Sequence, residues 1–182
     1  VGCGRGDFLR GFYRYGLKCY GVDQSNSAKK ICPEAEIKVA DLEERLPYED
    51  NVFDIVFSKS VIEHFYYPEK LAMEMFRVLK PGGTLIALTP DWEKVYREFF
   101  NDHTHRTPFT SVSLNYFLKI HGFENIQTSQ FRQLPILWKI PWLNLFSILT
   151  ALLTPRFFRN YSKFILFSKE VMLLGSGQKP QG

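Results

Sequence analysis

Gly2-Cys3-Gly4-Arg5-Gly6-Asp7, followed one strand later by Tyr20-Gly21-Val22-Asp23, is the stretch of this sequence that decides its fold. Glycines at this density let a loop turn sharply and bring backbone N–H groups against a ligand. A carboxylate at the tip of the next strand is placed to accept hydrogen bonds from a ribose diol. The combination predicts a site for an adenosine-containing cofactor at the edge of a parallel sheet.

The spacing of the glycines distinguishes a dinucleotide site from a site for a cofactor without a pyrophosphate. A dinucleotide loop with the pattern G-x-G-x-x-G would need glycine at position 7, where this chain has Asp7. The third glycine is instead Gly6, and the resulting G-x-G-x-G pattern favours a cofactor without a pyrophosphate. The other interpretation is a glycine-rich turn that holds no ligand.

Size and composition are those of one globular domain, with 182 residues, 45% of them hydrophobic and 23% charged. Cys3, Cys19 and Cys32 lack the spacing of a metal site and indicate reduced thiols in a cytosolic protein. The charge is uneven, because from Gln130 onward seven Lys and Arg stand against Glu170 alone. A basic end beside an apolar stretch is typical of contact with a membrane surface, and no basic–aromatic pattern of nucleic-acid binding is present.

Apolar periodicity predicts alternating strands and helices. Helices are predicted over 8–15, 25–31, 68–79 and 110–121, and strands over 18–22, 37–40, 53–58, 84–88, 124–132 and 164–173. The apolar run 53–58 predicts a strand buried on both faces, and residues 175–182 are predicted to form a disordered tail. The alternation indicates a single α/β domain over 1–174 with a doubly wound, mostly parallel sheet.

The chain begins inside a motif and without Met. We therefore expect a fragment that lacks the strand leading into Gly2. That strand would be central in the sheet, so its two neighbours would expose apolar edges.

Three further motifs carry a family resemblance: Phe53-Asp54-Ile55-Val56, Glu63-His64 and Leu79-Lys80-Pro81-Gly82-Gly83. With the opening glycines, they make the chain resemble the class I S-adenosylmethionine-dependent methyltransferases, in the group that acts on small molecules, over roughly residues 1–123. The resemblance implies a Rossmann-like sheet whose last strand is antiparallel. It also implies the cofactor S-adenosylmethionine, bound over the carboxyl ends of the first strands.

The resemblance further implies which residues bind that cofactor: Gly2, Gly4, Gly6, Asp23, Asp41, Leu42 and Ser58. The glycines would lie beneath the methionine part, and Asp23 would hold the ribose hydroxyls. Asp41 and Leu42 would contact the adenine, and Ser58 would line the methionine side.

Two histidines are candidates for catalysis. Methyl transfer from a sulfonium is an in-line displacement that depends on alignment, and an oxygen nucleophile must also lose a proton. His105, within Asp102-His103-Thr104-His105, is the first candidate for a substrate-facing base, and His64 is the second. The other interpretations are structural: His64 would hydrogen-bond its loop, and Asp–His hydrogen bonds would hold the loop that contains His105.

No metal site is expected. Quinone-pathway O-methyltransferases in this broader group carry E-x-x-E-H at this point, a motif associated with a divalent metal. Here Ser60 replaces the first Glu of that motif. His103 and His105 are close in sequence, but the sequence shows no third ligand beside them.

An apolar helical insert is expected over about 134–160. Residues 134–153 carry a single charge, Lys139, and are long enough to span a bilayer. Pro135 and Pro141 interrupt the stretch, and the chain must return to supply the last strand, so we reject a span. Residues 142–154 form an amphipathic pattern that suits a membrane interface or a lid over an apolar substrate. The other interpretation is a helix packed on the sheet or in a dimer interface.

The sequence as a whole predicts an S-adenosylmethionine-dependent methyltransferase that acts at oxygen on a small or lipid-linked acceptor. It favours a cytoplasmic protein with peripheral membrane contact through the insert and no nucleic-acid partner, and it leaves the oligomeric state open. Two alternatives remain. One is an NAD-type oxidoreductase or epimerase on the same sheet, against which Asp7 argues, and the other is a non-catalytic binding module of the same fold.

Overall fold

The computed structural model describes residues 1–140, 142–154, 162, 164–165, 168 and 170–181. Strands and helices alternate along most of the chain, as the periodicity predicted. The strands are β1 (Tyr20–Asp23), β2 (Glu36–Val39), β3 (Phe53–Lys59), β4 (Leu79–Pro90), β5 (Glu124–Arg132) and β6 (Val171–Gln178). The α-helices are α1 (Asp7–Arg14), α2 (Pro68–Val78), α3 (Trp92–Phe99), α4 (Ser111–Ile120), α5 (Pro135–Lys139) and α6 (Leu143–Leu153).

The strands form two sheets. β1 and β2 pair in parallel, and the other sheet has the order β3-β4-β6-β5. β3 and β4 are parallel, whereas β6 is antiparallel to both β4 and β5. The predicted α/β architecture with an antiparallel last strand is therefore confirmed.

An apolar cavity of about 560 Å³ lies between the two sheets. Its walls include Tyr20 of β1 and Ile55 and Phe57 of β3, so the strands on either side do present apolar groups to it. Val1 donates to the carbonyl of Phe57 at 2.7 Å, and the N–H of Gly2 donates to the carbonyl of Val22 at 2.8 Å. The first residues thus hydrogen-bond to both sheets, at the end of the cavity nearest the glycine loop (residues 2–6).

The prediction that strand 53–58 is buried on both faces is wrong. Ile55 is 52% exposed and lies in the wall of the cavity between the sheets, whereas Val56 is buried in the core. The near-continuous apolar run arises because one face meets the helices and the other meets this apolar cavity.

Helix α2 shows why the core forms where it does. Pro68 suits the first turn of a helix, and Leu71, Ala72, Met75 and Val78 follow at helical spacing and are all buried. They share one apolar cluster with Val22 of β1 and with residues of β3, β4 and α4. This cluster therefore joins both sheets.

The helix predicted over 25–31 is only a short 3₁₀ turn, Ser27–Lys30. Asn26 precedes it without making a side-chain cap, and the N–H of Ser25 donates to a carboxylate oxygen of Asp23 instead. Without a cap, four residues do not establish an α-helix.

The prediction for the C-terminal residues is wrong. β6 begins at Val171 rather than near residue 164, and Phe164 and Ile165 are helical. Residues 175–178 form the second half of β6, between β4 and β5, instead of a disordered tail. A Cβ atom at Gly175 would lie 2.9 Å from Leu114, and one at Gly177 would lie 2.9 Å from Phe123. These glycines therefore serve close packing against α4 and the loop after it.

The apolar insert contains α5 and α6, and its part from 155 to 160 lies outside the described residues. Helix α6 buries a polar side chain and exposes apolar ones, which is the reverse of a helix packed in a core. Ser147 is fully buried and donates its hydroxyl to Ser168, whereas Leu145, Leu152 and Leu153 are each at least 66% exposed. In the described part of the chain, none of the helices is both long and apolar enough to cross a membrane.

Candidate active site

The glycine loop needs glycine for its backbone conformation. Gly2, Gly4 and Gly6 all have positive φ angles, between 51° and 89°. A Cβ atom at Gly6 would come within 3.0 Å of the backbone of Ala28, so Gly6 allows the loop to pack on the 3₁₀ turn. A Cβ atom at Gly4 would meet no atom of the described residues within 4 Å. The open space in this loop therefore lies at Gly4.

Asp23 lies at the end of β1, and its carboxylate contacts the glycine loop directly. Oδ2 accepts the backbone N–H of Gly4 at 2.8 Å, and Oδ1 accepts that of Ser25 at 3.0 Å. The side chain is only partly buried. Because each carboxylate oxygen has two lone pairs, both retain the capacity to accept a further hydrogen bond.

The remaining residues predicted to bind cofactor occupy different surroundings. Asp41 is exposed just beyond β2, and its Oδ1 accepts the N–H of Glu43. The side chain of Leu42 is buried in the main core. Ser58 is buried within β3, and its hydroxyl has no hydrogen-bond partner in the part of the chain that the structure describes. The adenine contact of Leu42 and the methionine contact of Ser58 stay predictions.

A second cavity, of about 280 Å³, lies at the carboxyl ends of β3 and β4, and we call it the acidic cavity. Its titratable lining consists of two histidines and four acidic residues, and no lysine or arginine is among the described residues that line it. The six are Glu63, His64, Glu98, Asp102, His105 and Glu170. This lining favours a ligand that is basic, cationic or a hydrogen-bond donor.

Glu63 is the group at this cavity that sequence reasoning missed as a functional candidate. It is completely buried, and its Oε2 accepts the hydroxyl of Thr89 at 3.0 Å. Within the part of the chain that the structure describes, its Oε1 has no hydrogen-bond partner. Burial raises the pKa of Glu63 to about 7. Its backbone carbonyl accepts the N–H groups of Arg106 and Thr107, which ties this turn to the loop after α3. Its place beside His64 in the motif was the only signal in the sequence.

The hydrogen bonds of Thr104 determine the tautomer of His64. The hydroxyl and N–H of Thr104 both donate to Oδ1 of Asp102, which lowers the pKa of that carboxyl. The hydroxyl proton is thus already used, so Nδ1 of His64, 2.9 Å from the Thr104 oxygen, must carry the proton and donate. Nε2 of His64 is left with a lone pair. Burial lowers the pKa of His64, which favours this neutral form.

His105 is held in the same tautomer. Its Nδ1 lies 2.7 Å from the carbonyl oxygen of Phe99, which can only accept, so Nδ1 carries the proton and Nε2 the lone pair. The rings of His64 and His105 lie 4.8 Å apart between centroids. The structure therefore brings the two predicted catalytic residues together at one cavity.

Both histidines also hydrogen-bond their loops, as the structural interpretations expected. His64 bonds the neighbouring loop through Thr104. In the loop of His105, the backbone N–H of His105 donates to the carbonyl of Asp102 at 3.2 Å, whereas the side-chain Nε2 of His105 lies 3.9 Å from the Asp102 carboxylate, too far for a hydrogen bond. The hydrogen bonds from Thr104 to the Asp102 carboxylate hold the same loop.

The chain is similar to known methyltransferases. A family profile described as "Methyltransferase domain" matches residues 1–87. The chain is 34% identical over 100 residues to norajmaline N-methyltransferase of Rauvolfia serpentina. The aligned region covers 49% of this chain and 34% of that protein. It is 33% identical over 100 residues to the chloroplastic tocopherol O-methyltransferase of Arabidopsis thaliana, covering 49% of this chain and 28% of that protein. The chain thus spans about a third of the length of these curated relatives.

A solved structure shows the same fold over nearly the whole chain. An S-adenosylmethionine-dependent methyltransferase from Archaeoglobus fulgidus superposes with a TM-score of 0.70 at 21% identity, covering 98% of this chain and 83% of that one. Residues 1–87 therefore match the methyltransferase-domain family, and the fold over nearly the whole chain is the Rossmann-like fold of the methyltransferases.

Proposed function

We propose that the protein transfers a methyl group from S-adenosylmethionine to an oxygen atom of a small or lipid-linked acceptor. The observation that carries this proposal is the contact between Asp23 and Gly4 at the carboxyl end of β1. It places a carboxylate with spare acceptor capacity beside a loop that leaves open space at Gly4. When bound, S-adenosylmethionine supplies an electrophilic methyl group on its sulfonium sulfur.

The residues of this chain would hold the cofactor at its two ends. Gly4, with Gly2 and Gly6 shaping the loop, would lie beneath the methionine part, and Asp23 would accept hydrogen bonds from the ribose hydroxyls. Asp41 is exposed at the end of the neighbouring parallel strand and would contact the adenine. Leu42 would also contact the adenine, and Ser58 would line the methionine side; both side chains are buried.

His105 and His64 would assist the acceptor. Each presents an Nε2 lone pair, and both line the acidic cavity at the ends of β3 and β4. A hydroxyl hydrogen-bonded to either Nε2 could pass its proton to the ring as its oxygen attacks. The cavity volume of about 280 Å³ suits a small acceptor group.

The exposed apolar side chains of α6 support peripheral contact with a membrane and a lipid-linked acceptor. A helix whose buried side is polar and whose outer side is apolar cannot satisfy its apolar side chains within the described part of this chain. The basic excess from residue 130 onward favours an anionic lipid surface.

Calorimetry on the intact protein tests the cofactor assignment. S-adenosylhomocysteine should bind and NAD should not. Asp23→Ala should weaken S-adenosylhomocysteine binding by roughly tenfold or more, because the ribose loses a charged acceptor. Asp54→Asn, at the opposite end of β3 in an exposed pair with Lys80, is the control and should bind normally. Unchanged affinity in Asp23→Ala would refute the ribose assignment. Failure of the intact protein to bind S-adenosylhomocysteine would favour the non-catalytic module.

An amine acceptor is a second candidate, and the lining of the acidic cavity favours it. Four acidic side chains line it, and no lysine or arginine is among the described lining residues, which favours a protonated amine. The names of the two curated relatives include an N- and an O-methyltransferase. Matched amine and hydroxyl acceptors, assayed by formation of S-adenosylhomocysteine, distinguish methylation at nitrogen from methylation at oxygen. The acceptor type that supports faster formation identifies the reaction.

A further inference from the structure

We propose that Glu63, His64 and His105 form a binding site for a divalent first-row transition-metal ion in the acidic cavity. This inference deepens the proposed function, on which it rests, because the ion would meet the acceptor there. It differs from the expectation drawn from the sequence. The third ligand lies far along the chain from the Glu63-His64 pair, and only folding brings it close.

Proximity and ligand type both favour an ion. One ligating atom from each of the three residues lies within 4.8 Å of the other two, so the side chains would have to move closer by rotation to bind one ion at about 2.0–2.2 Å. Two imidazoles and one carboxylate form a ligand set that binds zinc and other first-row transition ions, whereas magnesium and calcium prefer oxygen ligands alone. No cysteine is required.

The histidines are already held as ligands would be. Both donate Nδ1–H to an oxygen, His64 to Thr104 and His105 to the carbonyl of Phe99, so each keeps its Nε2 lone pair. Histidines that bind metals commonly donate their other N–H to an oxygen in this way, which orients the ring.

Glu63 provides an independent observation. Its Oε1 is buried and has no hydrogen-bond partner among the described residues, although its Oε2 is paired with Thr89. An unpaired buried oxygen costs free energy that a bound cation would offset. Asp102 also lines the cavity and adds an acidic side chain near the three ligands.

An ion with three protein ligands would keep open positions for an acceptor hydroxyl. Binding to the ion lowers the pKa of that hydroxyl, whose proton leaves to solvent. The oxygen then forms its bond to the methyl carbon as the bond from that carbon to sulfur breaks, and the sulfonium becomes a neutral thioether. With the ion bound, the Nε2 lone pairs are used as ligands, so the histidines would assist the acceptor through the ion, and the direct proton transfer proposed above would apply only to the ion-free site.

The experiment titrates Zn²⁺, and separately Mn²⁺ and Mg²⁺, into the intact, metal-free protein by calorimetry. We expect one Zn²⁺ or Mn²⁺ per chain and much weaker binding of Mg²⁺. His64→Gln, His105→Gln and Glu63→Gln should each lower the affinity at least tenfold. The control is His121→Gln, because Nδ1 of His121 also bonds a carbonyl, that of Phe117, but away from the cavity.

Two further measurements keep the outcomes separate. Circular dichroism establishes that each variant is folded, and the absorption spectrum of the Co²⁺-loaded wild-type protein reports nitrogen and oxygen ligands without any variant. Absence of ion uptake by the folded wild-type protein overturns the inference, as does uptake that survives both histidine substitutions. S-adenosylhomocysteine binding, measured on the same samples, tests the proposed function independently: binding without ion uptake would overturn only the metal site.

Discussion

The carboxylate of Asp23 accepts the backbone N–H of Gly4 at 2.8 Å, across 19 positions of sequence. The acid at the end of β1 is therefore part of the glycine loop's own structure. Its second oxygen accepts the N–H of Ser25, so one side chain fastens the loop before α1 to the turn after β1. A ligand that reaches this carboxylate meets a preorganised surface, because the loop does not have to be ordered on binding.

Gly4→Ala should weaken S-adenosylhomocysteine binding while costing only about 1 kcal/mol of unfolding free energy. Its φ of 51° strains any other residue, and the added methyl would occupy the open space beside Asp23. Gly16→Ala is the matched control, with φ of 82° and equally open surroundings in the turn after α1. Calorimetry with thermal unfolding should show a similar stability loss in both and an affinity loss only in Gly4→Ala. Equal affinity in both would argue against a ligand at Gly4.

Arg77→Gln should lower the unfolding free energy by about 3 kcal/mol, measured by urea denaturation. Its largely buried guanidinium binds Glu74 and Asp50 and the carbonyls of Leu46 and Tyr48, which attaches the loop before β3 to α2. Lys80→Gln, which loses one exposed contact to Asp54, is the control and should cost less than 1 kcal/mol. A loss in Arg77→Gln no larger than in this control would contradict the prediction.

The ion pair between Arg77 and Glu74 predicts that stability depends on pH. The hydrogen bonds from Arg77 lower the pKa of Glu74 below its ordinary 4.5. A carboxyl whose pKa is lower in the folded than in the unfolded state stabilises fully above pH 4.5, and that contribution is lost as pH falls through the folded pKa. Glu74→Gln should therefore lower stability at pH 7 and flatten its decline in acid. A wild-type acid slope retained in Glu74→Gln would show that other carboxyls dominate.

Gly177→Ala should lower the unfolding free energy by about 1–3 kcal/mol through overpacking. Its Cβ atom would lie 2.9 Å from Phe123 in a strand paired on both sides. Gly11→Ala, within α1 and with open space around it, is the control and should raise stability by about 0.5–1 kcal/mol. If residues 175–178 were a disordered tail, Gly177→Ala would have no effect in thermal unfolding.

Leu145→Asn with Leu149→Asn should weaken binding of the intact protein to vesicles of three parts neutral and one part anionic phospholipid by about tenfold or more. Both leucines are exposed on α6, so the change removes apolar surface without opening a core cavity. The control is Val112→Asn, which removes an exposed apolar side chain from α4. Vesicle sedimentation that shows no binding by the wild-type protein, or equal binding by all three proteins, would contradict membrane contact.

Local patterns predicted the parts of the fold that depend on neighbours in sequence. The apolar spacing of 68–79 predicted α2, and the glycines and Asp23 predicted a loop and a strand end that do meet. Gly175 and Gly177 were misread as a tail because a strand glycine and a flexible glycine look alike until the packing partners are known. The inverted orientation of α6 was likewise invisible, because periodicity gives two faces but not which one is buried.

The sequence by itself determined the α/β alternation, the resemblance to the methyltransferases and the acid–glycine pair, because each rests on residue types at short, fixed spacings. Only the tertiary structure decided that Glu63, His64 and His105 share one cavity and that two histidines keep their Nε2 lone pairs. Those facts depend on loops after different strands meeting in space and on a hydrogen-bond chain through Asp102 and Thr104. Contacts between distant segments are set by packing of the whole domain, and no local spacing encodes them.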